Sequence, residues 1–223
     1  MFMQRLKGEL TMRHKTARIF VVCSLALAVC GALSTVHAAP QIGKPAPDFA
    51  LKDIYGKLYK LSEFKGKVVV LEWINQDCPI WRGKAAQLNE TYKKLLAPKS
   101  RPGVPVKKLR SDVVWLCIDS THYMTGERNR AFFVLNGIAK PVLMDPDGKV
   151  GKAYDARTTP HMFVIDKNGI LVYDGACDNA RSRKKGAELV DYVAQAVEAV
   201  LAGKPVPTPK TNPYGCSVKY ARR

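Results

Sequence analysis

One dipeptide limits the folds open to this chain. Cys78-Pro79 stands between a nearly continuous apolar, β-branched run at residues 68–74 and a stretch with Ala85, Leu88, Tyr92, Leu95 and Leu96 at helical spacing. A strand without polar alternation must be covered on both faces, as in a parallel sheet. Proline suits the first turn of a helix, where its missing N–H has no partner to lose. The spacing therefore predicts a buried strand, a tight turn bearing a cysteine, and a helix.

The same alternation recurs downstream. Residues 113–118 read as a second buried strand, residues 128–135 as a helix, and residues 141–144 as a third short strand ending in the turn Asp145-Pro146-Asp147-Gly148. Strands alternating with helices imply right-handed parallel crossovers and an α/β fold. Residues 159–166, the turn Lys167-Asn168-Gly169 and a strand from Ile170 predict a closing antiparallel hairpin, while residues 41–66 predict an opening hairpin turning at Gly56. Residues 97–110, with three prolines and five basic residues, read as an exposed loop. A final amphipathic helix is expected over residues 188–201, with Leu189, Val193, Val197 and Val200 on one face.

The ends differ in composition. Arg5, Lys7, Arg13, Lys15 and Arg18 precede an apolar run at residues 19–33, and Val36-His37-Ala38 precedes Ala39. This is the pattern of a cleaved secretory signal over residues 1–38, and the run falls short of the roughly 20 residues of a stable span. The expected product is periplasmic or secreted and not integral to the membrane. One domain over residues 39–203 and a proline-rich tail over residues 204–223, carrying Cys216, complete the division. The formal net charge of +17 falls to +13 once the five basic and one acidic residues of the leader are gone. The basic clusters have no interleaved aromatic platform, so the excess reads as solvated surface and not as a nucleic-acid site. No Cys-x-x-Cys-His run exists, and His122 and His161 lack ligand spacing with the cysteines, so neither cofactor nor metal is expected.

Four ordered motifs carry a resemblance. They are Gly43-Lys44-Pro45-Ala46-Pro47-Asp48-Phe49, the segment from Lys67 to Cys78-Pro79, the segment from Asp145 to Tyr154, and Thr159-Pro160 before Phe163-Val164-Ile165-Asp166-Lys167-Asn168-Gly169. In order and spacing they resemble the thioredoxin-like superfamily, in the redoxin branch that joins peroxiredoxins (AhpC/TSA) to exported thioredoxin-like reductases. The resemblance implies a central mixed sheet flanked by helices, with Cys78 as nucleophile. A helix N-terminus stabilises a thiolate through its unpaired amides and partial positive charge. Pro160 matches the cis-proline of that fold, which leaves the Thr159 backbone free to pair with a bound peptide. Glu72 falls where thioredoxins bury a proton-carrying acid; an unpartnered buried carboxylate has a raised pKa suited to that role. Trp81 joins Thr159 and Pro160 as the expected substrate-contacting set.

Two departures reshape the expectation. Cys78-Pro79-Ile80-Trp81 has no second cysteine, and the Thr or Ser and the Arg that a peroxiredoxin needs are replaced by Asn75 and Pro160. Asp77 beside Cys78 opposes thiolate formation. The mature chain keeps Cys78, Cys117, Cys177 and Cys216; Cys117 lies in an apolar strand and reads as core, and Cys216 is the internal candidate to resolve Cys78. The function expected is an extracytoplasmic thiol-disulfide oxidoreductase acting on protein or small-molecule disulfides or thiols, with a separate electron donor. An antioxidant thiol peroxidase and a redox-inactive binding module remain as alternatives.

Overall fold

The computed structural model describes residues 39–97 and 111–222. The expected leader and nearly all of the expected 97–110 loop lie outside the described residues. Strands β1 (Ala50–Lys52) and β2 (Leu58–Lys60) form the opening hairpin, turning at Gly56, followed by a 3₁₀ turn at Leu61–Phe64. Then come β3 (Val68–Trp73), α1 (Pro79–Leu96), β4 (Val113–Asp119), α2 (Gly126–Leu135), β5 (Val142–Met144) and α3 (Lys149–Ala153). The chain closes with β6 (Thr158–Thr159), β7 (His161–Ile165), β8 (Leu171–Gly175), α4 (Tyr192–Leu201) and β9 (Cys216–Ser217).

Five strands make the central sheet in the order β5-β4-β3-β7-β8. β3, β4 and β5 run parallel, and β7 and β8 add antiparallel to the other side of β3. All six residues of β3 are buried because both faces of the sheet are covered, which explains why its sequence shows no alternation. Val68, Val70 and Ile74 pack with Trp81, Ala85 and Leu88 of α1 and with Val193 and Val197 of α4. Val69, Leu71 and Trp73 face the other way, onto Phe49, Leu61, Tyr154 and Phe163. This is the thioredoxin-like arrangement that the resemblance implied, and it sets Cys78 at the carboxyl end of the central strand.

Three local expectations need correction. The last helix begins at Tyr192 and not at residue 188, because the Asp191 carboxylate accepts the Ala194 N–H at 2.9 Å and caps it; Leu189 stays 45% exposed. The five-residue α3 and the two-residue strands β6 and β9 have no counterpart in the sequence reading. Most consequential, the proline-rich tail, treated in sequence as a segment apart from the domain, is docked onto it. Thr211 donates its N–H to Asp174, Val218 donates to Arg157, and the Tyr220 hydroxyl donates to the Ala156 carbonyl at 2.7 Å.

Candidate active site

The turn from β3 to α1 is built by Asn75, whose carbonyl accepts the Cys78 N–H at 3.0 Å and whose side-chain oxygen accepts the Asp77 N–H at 2.7 Å. Cys78 then serves as the N-cap of α1, with extended backbone and with Sγ accepting the Trp81 N–H at 3.3 Å. Its thiol faces the loop before β7, where the Thr159-Pro160 peptide is cis and the Thr159 carbonyl accepts from Cys78 at 3.1 Å. Cys78 is only 1% exposed.

What covers it is the tail. β9 pairs antiparallel with β6, setting Cys216 opposite Thr159, and the Thr159 hydroxyl donates to the Cys216 carbonyl at 3.5 Å. The Cys216 thiol and amide both reach the Cys78 sulfur, and the Ile80 amide reaches the Cys216 sulfur. Both thiols are free, and Cys216 is partly exposed. The structure thus brings Cys78, Cys216, Thr159 and Pro160 together.

The two sulfurs differ electrostatically. Burial, the largest influence, would raise the Cys78 pKa, but hydrogen bonds from Cys216, Thr159 and the Trp81 amide overcome it and hold the thiol below its ordinary value. Cys216 moves the other way, pushed up by burial and then by its hydrogen bond and charge interaction with Cys78. Asp77 does not stand as a bare charge beside the site; Arg128 pairs with it at 3.0 Å. The remaining thiols are poor nucleophiles. Burial pushes Cys177 up to about 12, and burial together with the Glu72 charge pushes Cys117 well above its usual range.

Glu72 and Trp81 are placed differently from the expectation. The Glu72 carboxylate is not unpartnered: it accepts from Trp81 Nε1 at 2.8 Å, Trp115 Nε1 at 2.7 Å and Lys140 Nζ at 2.6 Å, with the Cys117 thiol 3.6 Å away. Glu72 and Lys140 form an ion pair with side chains 0% and 1% exposed. A carboxylate satisfied in this way is not the unpartnered acid that was expected. Trp81 is wholly buried, with its ring 5.6 Å from Phe132 and 6.0 Å from Phe133, so it presents no surface to solvent. It fills the position of the missing second cysteine and links Glu72 to the first turn of α1. Lys140 escaped the sequence reading, although a lone lysine between Ile138-Ala139 and Pro141-Val142 was the available signal.

Among the described residues no three His, Cys, Asp or Glu side chains are grouped to hold a metal ion, and no helix is long and apolar enough to cross a membrane.

Several known proteins are similar to this chain. The thiol-disulfide oxidoreductase ResA of Bacillus thuringiensis subsp. konkukian is 27% identical over 168 residues, covering 72% of this chain and 88% of that protein. The ResA of Bacillus anthracis is 30% identical over 132 residues, covering 59% and 68%. A solved structure of a hypothetical protein from Sinorhizobium meliloti 1021 superposes with a TM-score of 0.68 at 28% identity, covering 83% of this chain and 98% of that one. The family model described as AhpC/TSA matches residues 42–174, from ahead of β1 into β8. Because that match takes in more than half of its residues, the chain belongs to the AhpC/TSA family.

Proposed function

We propose that this protein is a thiol-disulfide oxidoreductase whose redox pair is Cys78 and Cys216. The observation that carries the reading is the contact between the two thiols, held by β6–β9 pairing and by the amides of Trp81 and Ile80. Its similarity to relatives named for that activity supports it. In the reducing direction the two thiols give up two electrons and two protons, a substrate disulfide becomes two thiols, and a Cys78–Cys216 disulfide forms. An external thiol reductant of unassigned identity, supplying two electrons and two protons, returns the pair to the reduced state. Holding the second thiol in contact makes ring closure intramolecular, which favours it over exchange with a free thiol. Glu72 is a positioning residue in this scheme, fixing Trp81 and through it the amide that meets Cys78.

The peroxidase alternative is less well supported. The Asn75 side-chain oxygen is committed to the Asp77 amide, and position 160 is a proline, so the hydroxyl and guanidinium that activate a peroxide have no equivalents there. Export remains part of the proposal on the strength of the leader: intact mass of envelope protein should correspond to a chain beginning at or near Ala39.

Peptide mapping of the oxidised protein tests the pair. A Cys78–Cys216 crosslink is expected, and Cys78→Ser and Cys216→Ser should each lower reduction of an insulin disulfide by more than about tenfold. A Cys216–Cys177 bridge with Cys78 free and turnover intact would overturn the assignment and make the tail a structural clasp.

A further inference from the structure

We propose that an external thiol attacks the oxidised pair at Cys216, with Cys78 as the leaving sulfur. This rests on the Cys78–Cys216 pair proposed above, and it reverses the order that the family resemblance implies, in which the helix-cap cysteine meets the outside partner.

Access is the first argument. Cys78 lies in the core cluster at 1% exposure, with Thr159-Pro160 across from it, and with Tyr214 and Cys216 packed over the same cluster. Cys216 keeps part of its surface in solvent and is flanked by Ile80, 42% exposed, and by exposed Ser217. A thiolate arriving from outside therefore meets Cys216 first. Occupancy is the second argument. The backbone edge at Thr159 where an extended peptide would pair is filled by β9, so a strand of another protein has no place there while the tail is docked. The tail is anchored on both sides of Cys216: Tyr214 donates its hydroxyl to Asp178, which also pairs with Lys84 at 2.6 Å, and the Lys219 carbonyl accepts the His122 N–H. The partner that fits is a small thiol, not a folded protein surface.

The chemistry follows the same direction. The incoming thiolate bonds to Cys216 Sγ, the bond from Cys216 to Cys78 breaks, and its electron pair stays on Cys78. A thiolate at Cys78 accepts hydrogen bonds from the Trp81 and Cys216 amides, and the better-stabilised thiolate is the better leaving group. The products are a mixed disulfide at Cys216 and a Cys78 thiolate; the proton of the attacking thiol goes to solvent. A second small thiol then attacks the mixed disulfide, releasing a small disulfide and the Cys216 thiol.

The test uses reduced glutathione on the oxidised full chain, after peptide mass has located the disulfide. The reaction is quenched in acid, free thiols are blocked with N-ethylmaleimide, and the glutathione adduct is placed by peptide mapping. The expected result is glutathione on Cys216 and maleimide on Cys78, in about tenfold excess over the reverse. Adducts mainly on Cys78, with the Cys78–Cys216 disulfide verified beforehand, overturn this inference and leave the pair intact. Absence of that disulfide overturns the pair and the inference together. Gly215→Ala gives a second readout on the reduced protein. Gly215 has φ +146° and any Cβ there would run into the Thr159 carbonyl, so the variant unseats β9. Iodoacetamide should then label Cys78 about tenfold faster than in the wild type. An unchanged rate would mean that the tail is not the barrier.

Discussion

At the scale of single residues, the Glu72 carboxylate under the first turn of α1 is the strongest constraint. It is wholly buried among two indole N–H groups and the Lys140 ammonium, so removing its charge leaves a buried lysine without compensation. Breaking a buried pair in this way costs about 3–5 kcal/mol. Glu72→Gln, which keeps an acceptor for the tryptophans, should lower the urea midpoint by an amount of that order. Glu72→Gln combined with Lys140→Met should recover more than half of the loss, because neither charge then remains. Equal losses in the single and double variants would show that the ion pair is not what the site depends on. The family resemblance pointed to Glu72 but not to what surrounds it. Lysine is almost never fully buried unless paired, and that pairing spans 68 positions in the chain, so no local pattern announces it.

At the scale of elements, β7 and β8 carry a titratable link to the tail. His161 on β7 is 1% exposed, accepts the Arg157 N–H at Nδ1 and therefore donates from Nε2 to the Asp174 carboxylate on β8 at 2.8 Å. Burial lowers its pKa more than the Asp174 bond raises it, while Asp155 and Arg157 act weakly in opposite senses and Lys210 pairs with Asp174. The unfolded chain takes up a proton as pH falls through about 6.5 and the folded chain does not. Stability contributed by neutral His161 is therefore complete above that value and declines as pH falls below it. Asp174, held below the usual carboxylate range by His161 and Lys210 in spite of burial, gives a further decline in more acidic solution. Urea unfolding between pH 7.5 and 5 should show the loss, and His161→Gln should flatten it; an unchanged slope would remove His161 as its source. The longer core strands were legible because apolar and β-branched residues dominate the six positions of β3 and the seven of β4. β6 and β9, two residues each, are too short to carry a period. Their pairing joins Thr159 to Cys216 across 57 positions of the chain, which is a tertiary condition.

At the scale of the whole molecule, closing Cys78 to Cys216 ties the end of the central strand to the tail across most of the folded domain. A loop of that size restricts the unfolded chain strongly, and such links stabilise by roughly 2–4 kcal/mol. The oxidised protein should melt about 5–15 °C above the reduced one, and Cys216→Ser should melt at one temperature in both conditions. No difference in the wild type would mean that the pair does not close. The α/β class, the sheet and the cysteine at the strand-to-helix turn could be read from sequence because each is a local pattern repeated along the core. The docking of the tail could not. Its four prolines give no period to read, and Tyr214 and Tyr220, which bind Asp178 and Ala156, were the available signal.

The family match ends at residue 174, and the five-stranded sheet contains no residue of the tail. The proposed partner thiol therefore lies outside the matched region, while the helix-cap thiol lies inside it. On that proposal, substitutions in β9 that unseat Cys216 should change the couple while leaving the five-stranded sheet in place.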